Sequence, residues 1–293
     1  MRNEMKIVGD WHDSRGPLKR TMIRLISASA CFGLIGMARA QSPPDGKPDV
    51  TKKALITTTA PKMSPPSLGN LKRSIDASAL HKLAAEFYAW RDEQYPVASS
   101  DAGLHTWDNR LTDYSAAKIS ARAQHIRMLL DQVRAMQTAS WSKDERIDWL
   151  LFRSQLENFA FDDRVLKSTE TNPQIYVGEC TSGIFSLLKK EYDTPQNRAA
   201  FATAWLQQMP AMLAQGNGNL RKPVKLHAQL AIASARAIDP LFNDNLMTLA
   251  RDLPAAERDE LVRARDGALT AIHAFADQLE KRLPSMVDFA PMG

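Results

Sequence analysis

Apolar residues recur at helical spacing along most of the chain beyond residue 74. The first stripe contains Leu80, Leu83, Ala84, Phe87 and Trp90, which predicts a helix over about residues 76–92. N-cap or proline residues mark the start of five further periodic segments, at Ser115, Ser142, Thr194-Pro195, Pro223 and Pro254. A shorter helix is predicted over residues 241–253. Strand-like alternation of useful length is absent, so the sequence predicts an all-α fold, an irregular multi-helix bundle of about seven helices.

Residues 141–161 are expected to form the central helix of this bundle. Ser142 followed by Glu145 is a capping box. The apolar residues cover more of the helical wheel than the single stripe of a surface helix, which favours burial on several sides. They are Ile147, Trp149, Leu150, Leu151, Phe152, Leu156, Phe159 and Phe161. We therefore expect Trp149 and Phe152 to lie in the core.

The sequence also predicts two interruptions of the helical pattern. Residues 168–194 show the least periodicity and contain Asn172-Pro173, Gly178 and Gly183. Gly216-Asn-Gly-Asn219 predicts a helix stop, because Gly and Asn favour turns.

The N-terminus has the pattern of a secretory signal peptide over residues 1–40. Lys19, Arg20 and Arg24 form a basic region, residues 25–37 are apolar, and Ala38-Arg-Ala40 has small residues where cleavage is expected. A membrane anchor is disfavoured, because about thirteen residues at roughly 1.5 Å each span less than the roughly 30 Å of a bilayer core. A lipoprotein signal at Cys31 and a translation start at Met22 remain alternatives. The mature chain is expected to be periplasmic or secreted, without stable membrane insertion.

Composition separates a linker from a folded domain. Residues 41–73 are rich in Pro, Ser, Thr and Lys and poor in large apolar side chains, which predicts a flexible linker. The helical domain is expected over residues 74–293.

The chain carries a formal charge of +5, but residues 74–293 hold 25 basic and 28 acidic side chains. This domain lacks the basic excess of a nucleic-acid-binding protein, so no nucleic-acid partner is expected.

The residues supply no recognisable catalytic, cofactor-binding or metal-binding constellation. The histidines are not paired at the spacing of a zinc helix, and no nucleotide-binding or nucleophile motif is present. His105 lies in a Gly- and Asp-containing loop and is either functional or bonded to loop carbonyls. Cys180 is interpreted as a buried structural thiol. The acidic residues Glu157, Asp162 and Asp163 are interpreted as a solvated face or helix-end ion pairs.

Several short motifs resemble, in order and spacing, the N-terminal half of the bacterial proteins that share domain of unknown function 885. The resemblance runs from about residue 76 to the C-terminus. Its motifs are Pro96-x-Ala98, Gly103-x-His105-x-x-Asp108-x-x-Leu111-x-Asp113-x-Ser115, Asp144-x-Arg146-x-Asp148-x-x-Leu151 with Arg153 and Leu156-Glu157, Asn172-Pro173, Thr194-Pro195, Met209-Pro210 and Gly216-x-Gly218-Asn219-Leu220-x-x-Pro223.

The resemblance implies an exported, largely helical and metallopeptidase-like protein about twice as long as this domain. The family's zinc motif, a His-Glu followed by Pro-Gly-His, lies in the C-terminal half, and no position here matches it. The chain thus resembles a truncated member, with zinc expected only in the missing half and no cofactor in this chain. One hypothesis is an inactive, incomplete peptidase-type hydrolase. The other is a non-catalytic periplasmic domain that binds a peptide or a partner protein.

The same resemblance predicts an exposed apolar stripe on the final helix. Without a second half to cover them, Leu261, Ile272, Phe275, Leu279 and Leu283 would face solvent. Such a surface favours self-association.

Overall fold

The computed structural model describes the backbone of residues 68–290 and the side chains from residue 77 to 290. The predicted signal peptide and most of the predicted linker lie outside the described residues. Seven helices of twelve or more residues confirm the predicted all-α class, and the described residues contain no strand. The α-helices, in chain order, are α1 (Leu68–Gln94), α2 (Pro96–Asp101), α3 (Ala116–Arg134), α4 (Lys143–Phe161), α5 (Ser168–Thr171), α6 (Gln174–Lys189), α7 (Pro195–Asn219), α8 (Lys225–Arg236) and α9 (Ala255–Arg282).

The larger hydrophobic core is built from α6, α7, α8 and α9. In α6 the side chains of Val177, Cys180, Ile184 and Leu187 have no exposed surface. This helix packs against α2 on one side and against α7 and α8 on the others. It is therefore the central helix of the domain.

A second, smaller core joins α1, α3 and α4. Phe87 of α1 is fully buried and contacts the rings of Phe152 and Phe159 on α4, with centroid distances of 5.4 and 5.9 Å. Such edge-to-face contacts add to the burial of apolar area. The described domain thus has two cores, and a segment between α2 and α3 contributes Leu111 and Tyr114 to the larger one.

The predicted helix starts are confirmed where a capping side chain marks them. Ser115 accepts a hydrogen bond from Lys118 N at the start of α3, and Thr194 accepts one from Asn197 N at the start of α7. Ser142 and Glu145 form the predicted capping box of α4. Each cap satisfies a backbone N–H that has no partner within its helix.

The prediction that residues 141–161 form the central helix is wrong. In α4 only Phe152 and Leu156 are buried. Leu150 and Leu151 are 50% and 65% exposed, and Trp149 is half-buried with its indole N–H donating to Val133 O at 2.8 Å. The helix lies at the edge of the smaller core. The wide distribution of its apolar residues around the helix therefore does not mean that it is buried on several sides.

The prediction of an irregular segment over residues 168–194 is also wrong, because α6 occupies most of it. A helix that is buried on nearly every side has no polar face, and a periodic pattern needs one. Gly178 and Gly183 lie inside this helix. Close packing explains Gly183, since a Cβ there would lie 3.0 Å from the Trp205 ring.

The helix α7 continues through Gly216 and Gly218 to Asn219, so the predicted stop at residue 216 is wrong. A Cβ at Gly216 would lie 2.7 Å from the ring of Tyr176, which is fully buried. The glycine therefore serves helix packing. The first helix also begins at Leu68, earlier than predicted, and residues 241–250 form a π turn and a 3₁₀ turn.

The predicted exposed stripe on the final helix is wrong as well. In α9 Leu261, Ile272 and Leu279 have no exposed surface and Phe275 is 3% exposed. They pack against α7 and α8 within the same chain. Self-association stays a prediction, but this helix does not support it. No helix between residues 68 and 290 is long and apolar enough to cross a membrane.

We expect Gly216→Ala to destabilise the domain by about 1–3 kcal/mol, because the new methyl group overlaps the buried Tyr176 ring. Gly218→Ala is the matched control, since its Cβ meets no atom within 4 Å in the same helix. That control should gain up to about 1 kcal/mol from helix propensity. Denaturant unfolding of both variants measures the difference, and equal stabilities would contradict the packing assigned to Gly216.

Candidate functional site: a cleft between α1, α3 and α7

An extended segment, residues 109–115, crosses the domain between the two cores. Its backbone is not helical, yet Leu111, Thr112 and Tyr114 are buried. Buried backbone N–H groups need partners. Three side chains supply them: Gln208 accepts from Leu111 N at 3.1 Å, Glu179 from Thr112 N at 2.9 Å, and Gln215 from Tyr114 N at 2.9 Å.

The carbonyl groups of the same segment are held in the same way. Gln208 donates to Asn109 O at 2.8 Å, and Asn219 donates to Tyr114 O at 2.8 Å. Arg122 Nη1 donates to Asp113 O at 2.8 Å. Side chains of α3, α6 and α7 thus replace the neighbouring strand that an extended segment usually requires.

This segment forms one wall of a cleft of ≈ 370 Å³. The other walls come from the end of α1, the first half of α3 and the outer face of α7. A cavity of this size lies within the range of small-ligand pockets, about 300–1,000 Å³. Its lining combines charged groups, side-chain amides and apolar surface: Glu93, Gln94, Pro96, Arg110, Leu111, Thr112, Asp113, Lys118, Arg122, Gln208, Ala211, Met212 and Gln215.

Arg122 is the buried cation of the cleft. It is 7% exposed although it lines the opening, and its guanidinium lies 5.4 Å from the ring centroid of Tyr95 and 5.9 Å from that of Tyr114. These contacts are within the range of cation–π interactions. Among the described residues, Arg122 forms no salt bridge with a carboxylate.

The titratable groups around Arg122 respond to burial and to its charge. Burial raises the pKa of Glu179, and the hydrogen bond from Thr112 and the Arg122 charge oppose the rise. Partial burial acts against ionisation of Asp113, but hydrogen bonds from Ser115 and Gln215 lower its pKa overall. Burial raises the pKa of Tyr95 and of Tyr114, so both hydroxyls stay protonated at neutral pH.

His105, singled out in the sequence, lies at the other end of this loop. Its Nδ1 is 2.9 Å from Asp108 Oδ2, and its ring stacks on that of Tyr192 with centroids 3.4 Å apart. The Tyr192 hydroxyl donates to the same Asp108 oxygen, and burial followed by this hydrogen bond raises the pKa of Tyr192. The cluster ties the loop to the segment before α7, so we interpret it as structural.

The other residues considered from the sequence do not converge on one point. Cys180 is fully buried in α6, and burial raises the pKa of its thiol. Glu157 pairs with Arg134 and Asp163 with Arg127, while Asp162 accepts a hydrogen bond from Ser168. In the part of the chain that the structure describes, no group of three His, Cys, Asp or Glu side chains is placed to hold a metal ion.

Sequence analysis missed Arg122, Glu179, Gln208 and Gln215. Arg122 could have been noticed in the sequence, because it falls on the apolar face of α3 between Ile119 and Ile126. A charged side chain on such a face is unusual. Glu179 lies in the segment predicted to be irregular. The two glutamines are seven residues apart and share a face of α7. Their hydrogen-bond partners, Leu111 and Tyr114, are 97 and 101 residues away in the sequence, so no local pattern reveals the pairing.

The family comparison covers the whole cleft except the end of α1. Residues 96–292 match the family described as bacterial protein of unknown function (DUF885). The chain belongs to the DUF885 family. Membership confirms the resemblance noted in the sequence, but the family description assigns no activity. Among curated proteins, none matches this sequence.

A solved structure from the comparison shares the fold of this DUF885 chain. It is a candidate lipoprotein of unknown function from Shewanella oneidensis, with a TM-score of 0.63 and 21% identity. The match covers 70% of this chain and 38% of that chain. At this level of identity the likeness shows the fold alone. The match spans well under half the length of that protein.

We expect Glu179→Gln to keep the hydrogen bond to Thr112 N and to remove a carboxylate whose pKa is raised above its usual 4.5. A raised carboxyl pKa contributes stability that is present below pH 4.5 and lost as the pH rises through the folded-state pKa. The variant should therefore match or exceed the parent in stability at pH 7. The parent should gain relative to the variant as the pH falls toward 4.5.

Thermal unfolding at several pH values measures this dependence, with the exposed Glu191→Gln as a control for the loss of one charge. A Glu179→Gln variant whose deficit in stability relative to the parent grows as the pH rises would show that the ionised carboxylate stabilises the fold, and would contradict the raised pKa.

Proposed function

We propose that this DUF885 chain is an exported helical domain that binds a short peptide in the cleft between α1, α3 and α7, without catalysing its hydrolysis. The observation that carries the proposal is the cleft itself, with a buried cation at its floor and side-chain amides in its walls. Gln94 adds an amide that forms no hydrogen bond with another described side chain. The Gln94 amide can donate to and accept from a peptide backbone, whereas the amides of Gln208 and Gln215 hold residues 109–115.

Two further observations support a binding domain. The apolar face of α9 is buried against α7 and α8, so this helix offers no competing apolar binding face. The segment that walls the cleft is fixed by side chains from three helices, which gives a preorganised surface. A preorganised site loses less entropy when a ligand binds.

Export is proposed from the signal-peptide pattern of residues 1–40. The Shewanella relative, named as a candidate lipoprotein, supports a location outside the cytoplasm. Cleavage after Ala40 would give a soluble periplasmic or secreted chain, whereas lipidation at Cys31 would give an anchored one. Mass spectrometry of the exported protein separates the two.

A second candidate is that the cleft forms one wall of a hydrolytic site in a longer, metallopeptidase-like protein. The observation that favours it is the length of the Shewanella structure, of which this chain matches 38%. Peptide turnover by the purified chain, dependent on added zinc, would support this candidate and would contradict the non-catalytic proposal.

The binding proposal is tested by filling the cleft. Ala211 lines it and is exposed, so Ala211→Trp should occupy the space without disturbing the core. Ala214→Trp is the matched control, because Ala214 is exposed on the same helix and does not line the cleft. We expect N-acetylated tripeptides to bind the parent and the control, and to bind Ala211→Trp at least about tenfold more weakly, a loss of about 1.4 kcal/mol.

Isothermal titration calorimetry measures these affinities, and thermal unfolding verifies that both variants fold. The proposal fails if no tripeptide binds the parent, or if Ala211→Trp binds as tightly as the control.

A further inference from the structure

Arg122 is a buried cation that forms no salt bridge with a carboxylate among the described residues. Its side chain is almost fully removed from water, and its guanidinium donates to a backbone carbonyl, Asp113 O, at 2.8 Å. Buried charges in proteins are normally paired with an opposite charge, because desolvation of an unpaired ion is costly. The Asp113 carbonyl, a hydrogen bond with Tyr95 and two aromatic faces offset part of that cost, but none of them carries the opposite charge.

Two carboxylates that interact electrostatically with Arg122, Asp113 and Glu179, are engaged elsewhere. Asp113 Oδ1 accepts from Ser115 N at 2.8 Å and from Gln215 Nε2 at 3.2 Å. Glu179 accepts from Thr112 N, and burial makes its carboxylate easier to protonate. Neither group forms a salt bridge with Arg122, although both feel its charge. A counter-charge could reach Arg122 from the open side of the cleft.

Two further cations line the cleft. Arg110 stacks on the ring of Trp107, with its guanidinium 4.3 Å from the ring centroid, and its Nη1 is 3.8 Å from Glu93 Oε1. Its Nε and Nη2 have no hydrogen-bond partner among the described residues. Lys118 forms no ion pair with another described side chain.

The charges that line the cleft favour an anion with a single negative charge. The lining contains three cations, Arg110, Lys118 and Arg122, against two carboxylates, Glu93 and Asp113. One negative charge neutralises this excess among the lining residues; Glu179 does not line the cleft and accepts from Thr112 N. A carboxylate carries one charge, whereas a phosphate group carries about −1.5 to −2 at neutral pH. The planar carboxylate also matches the fork of N–H donors on a guanidinium.

We propose that the cleft recognises a carboxylate of its peptide ligand, with Arg122 as the counter-ion at the floor and Arg110 and Lys118 beside it. This inference rests on the proposed peptide-binding function and adds the group that is recognised. The carboxylate is supplied either by the C-terminus of the peptide or by an acidic side chain. Both present the same chemistry to Arg122.

Three synthetic peptides separate these cases: N-acetyl-trialanine, its C-terminal amide, and the amide of N-acetyl-Ala-Glu-Ala. We expect N-acetyl-trialanine to bind at least about tenfold more tightly than its amide, since a charge-assisted hydrogen bond contributes about 1.5–3 kcal/mol. If the glutamate peptide recovers the lost affinity, the cleft accepts a side-chain carboxylate. If it does not, the C-terminus is the recognised group.

The role of Arg122 is tested with Arg122→Gln, whose amide can still donate to Asp113 O. The matched control is Arg127→Gln on the same helix, which removes a half-exposed cation paired with Asp163 outside the cleft. We expect Arg122→Gln to bind N-acetyl-trialanine and its amide with nearly equal affinity, and the control to keep the tenfold preference. If Arg122→Gln does not fold, Arg110→Gln provides the test. It should lose part of the tenfold preference for N-acetyl-trialanine over its amide.

The outcomes distinguish the two proposals. Equal binding of N-acetyl-trialanine and its amide by the parent overturns carboxylate recognition and leaves the peptide-binding proposal standing. A preference that survives in both Arg122→Gln and Arg110→Gln overturns the assignment to this cleft. Absence of binding by all three peptides overturns both proposals.

Discussion

The side-chain hydrogen bonds to residues 109–115 are the constraint on which this structure depends. An extended segment buried between helices would leave its N–H and C=O groups without partners, and each such group costs about 1–3 kcal/mol. Gln208, Glu179 and Gln215 remove that cost for the N–H groups of three buried residues, Leu111, Thr112 and Tyr114. The segment brings Leu111 and Tyr114 into the larger core and leads through Ser115 into α3 of the smaller one. It therefore links the two cores.

The same constraint creates the candidate site. Because the segment is fixed against α7, a cleft remains between it and the ends of α1 and α3. Arg122 also holds the segment in place by donating a hydrogen bond to Asp113 O. A neutral side chain would satisfy that carbonyl at less desolvation cost, and this difference is the basis of the proposed ligand carboxylate. Buried ionic groups placed at a cleft are a physical basis for proposing function.

Local signals and long-range packing explain what the sequence could predict. Ser115, Ser142 and Thr194 mark helix starts through contacts within four residues, so those starts were predicted correctly. The helix α6 was missed because complete burial removes the periodic pattern, and α4 was taken as central because exposed Leu150 and Leu151 widen its apolar wheel. The loop around His105 was recognised as unusual. The partners of the segment that follows it, including Glu179 at a separation of 67 residues from Thr112, are visible only in the fold.

Native-state hydrogen exchange of the backbone amides of Leu111, Thr112 and Tyr114 tests the central claim most directly. These amides belong to a segment outside regular secondary structure, where exchange is usually fast. If Gln208, Glu179 and Gln215 hold them in the folded state, they should exchange as slowly as the amides of α6, through unfolding of the whole domain. Exchange at the rate of an unprotected loop would show that this segment is not fixed and would contradict both the link between the cores and the preformed cleft.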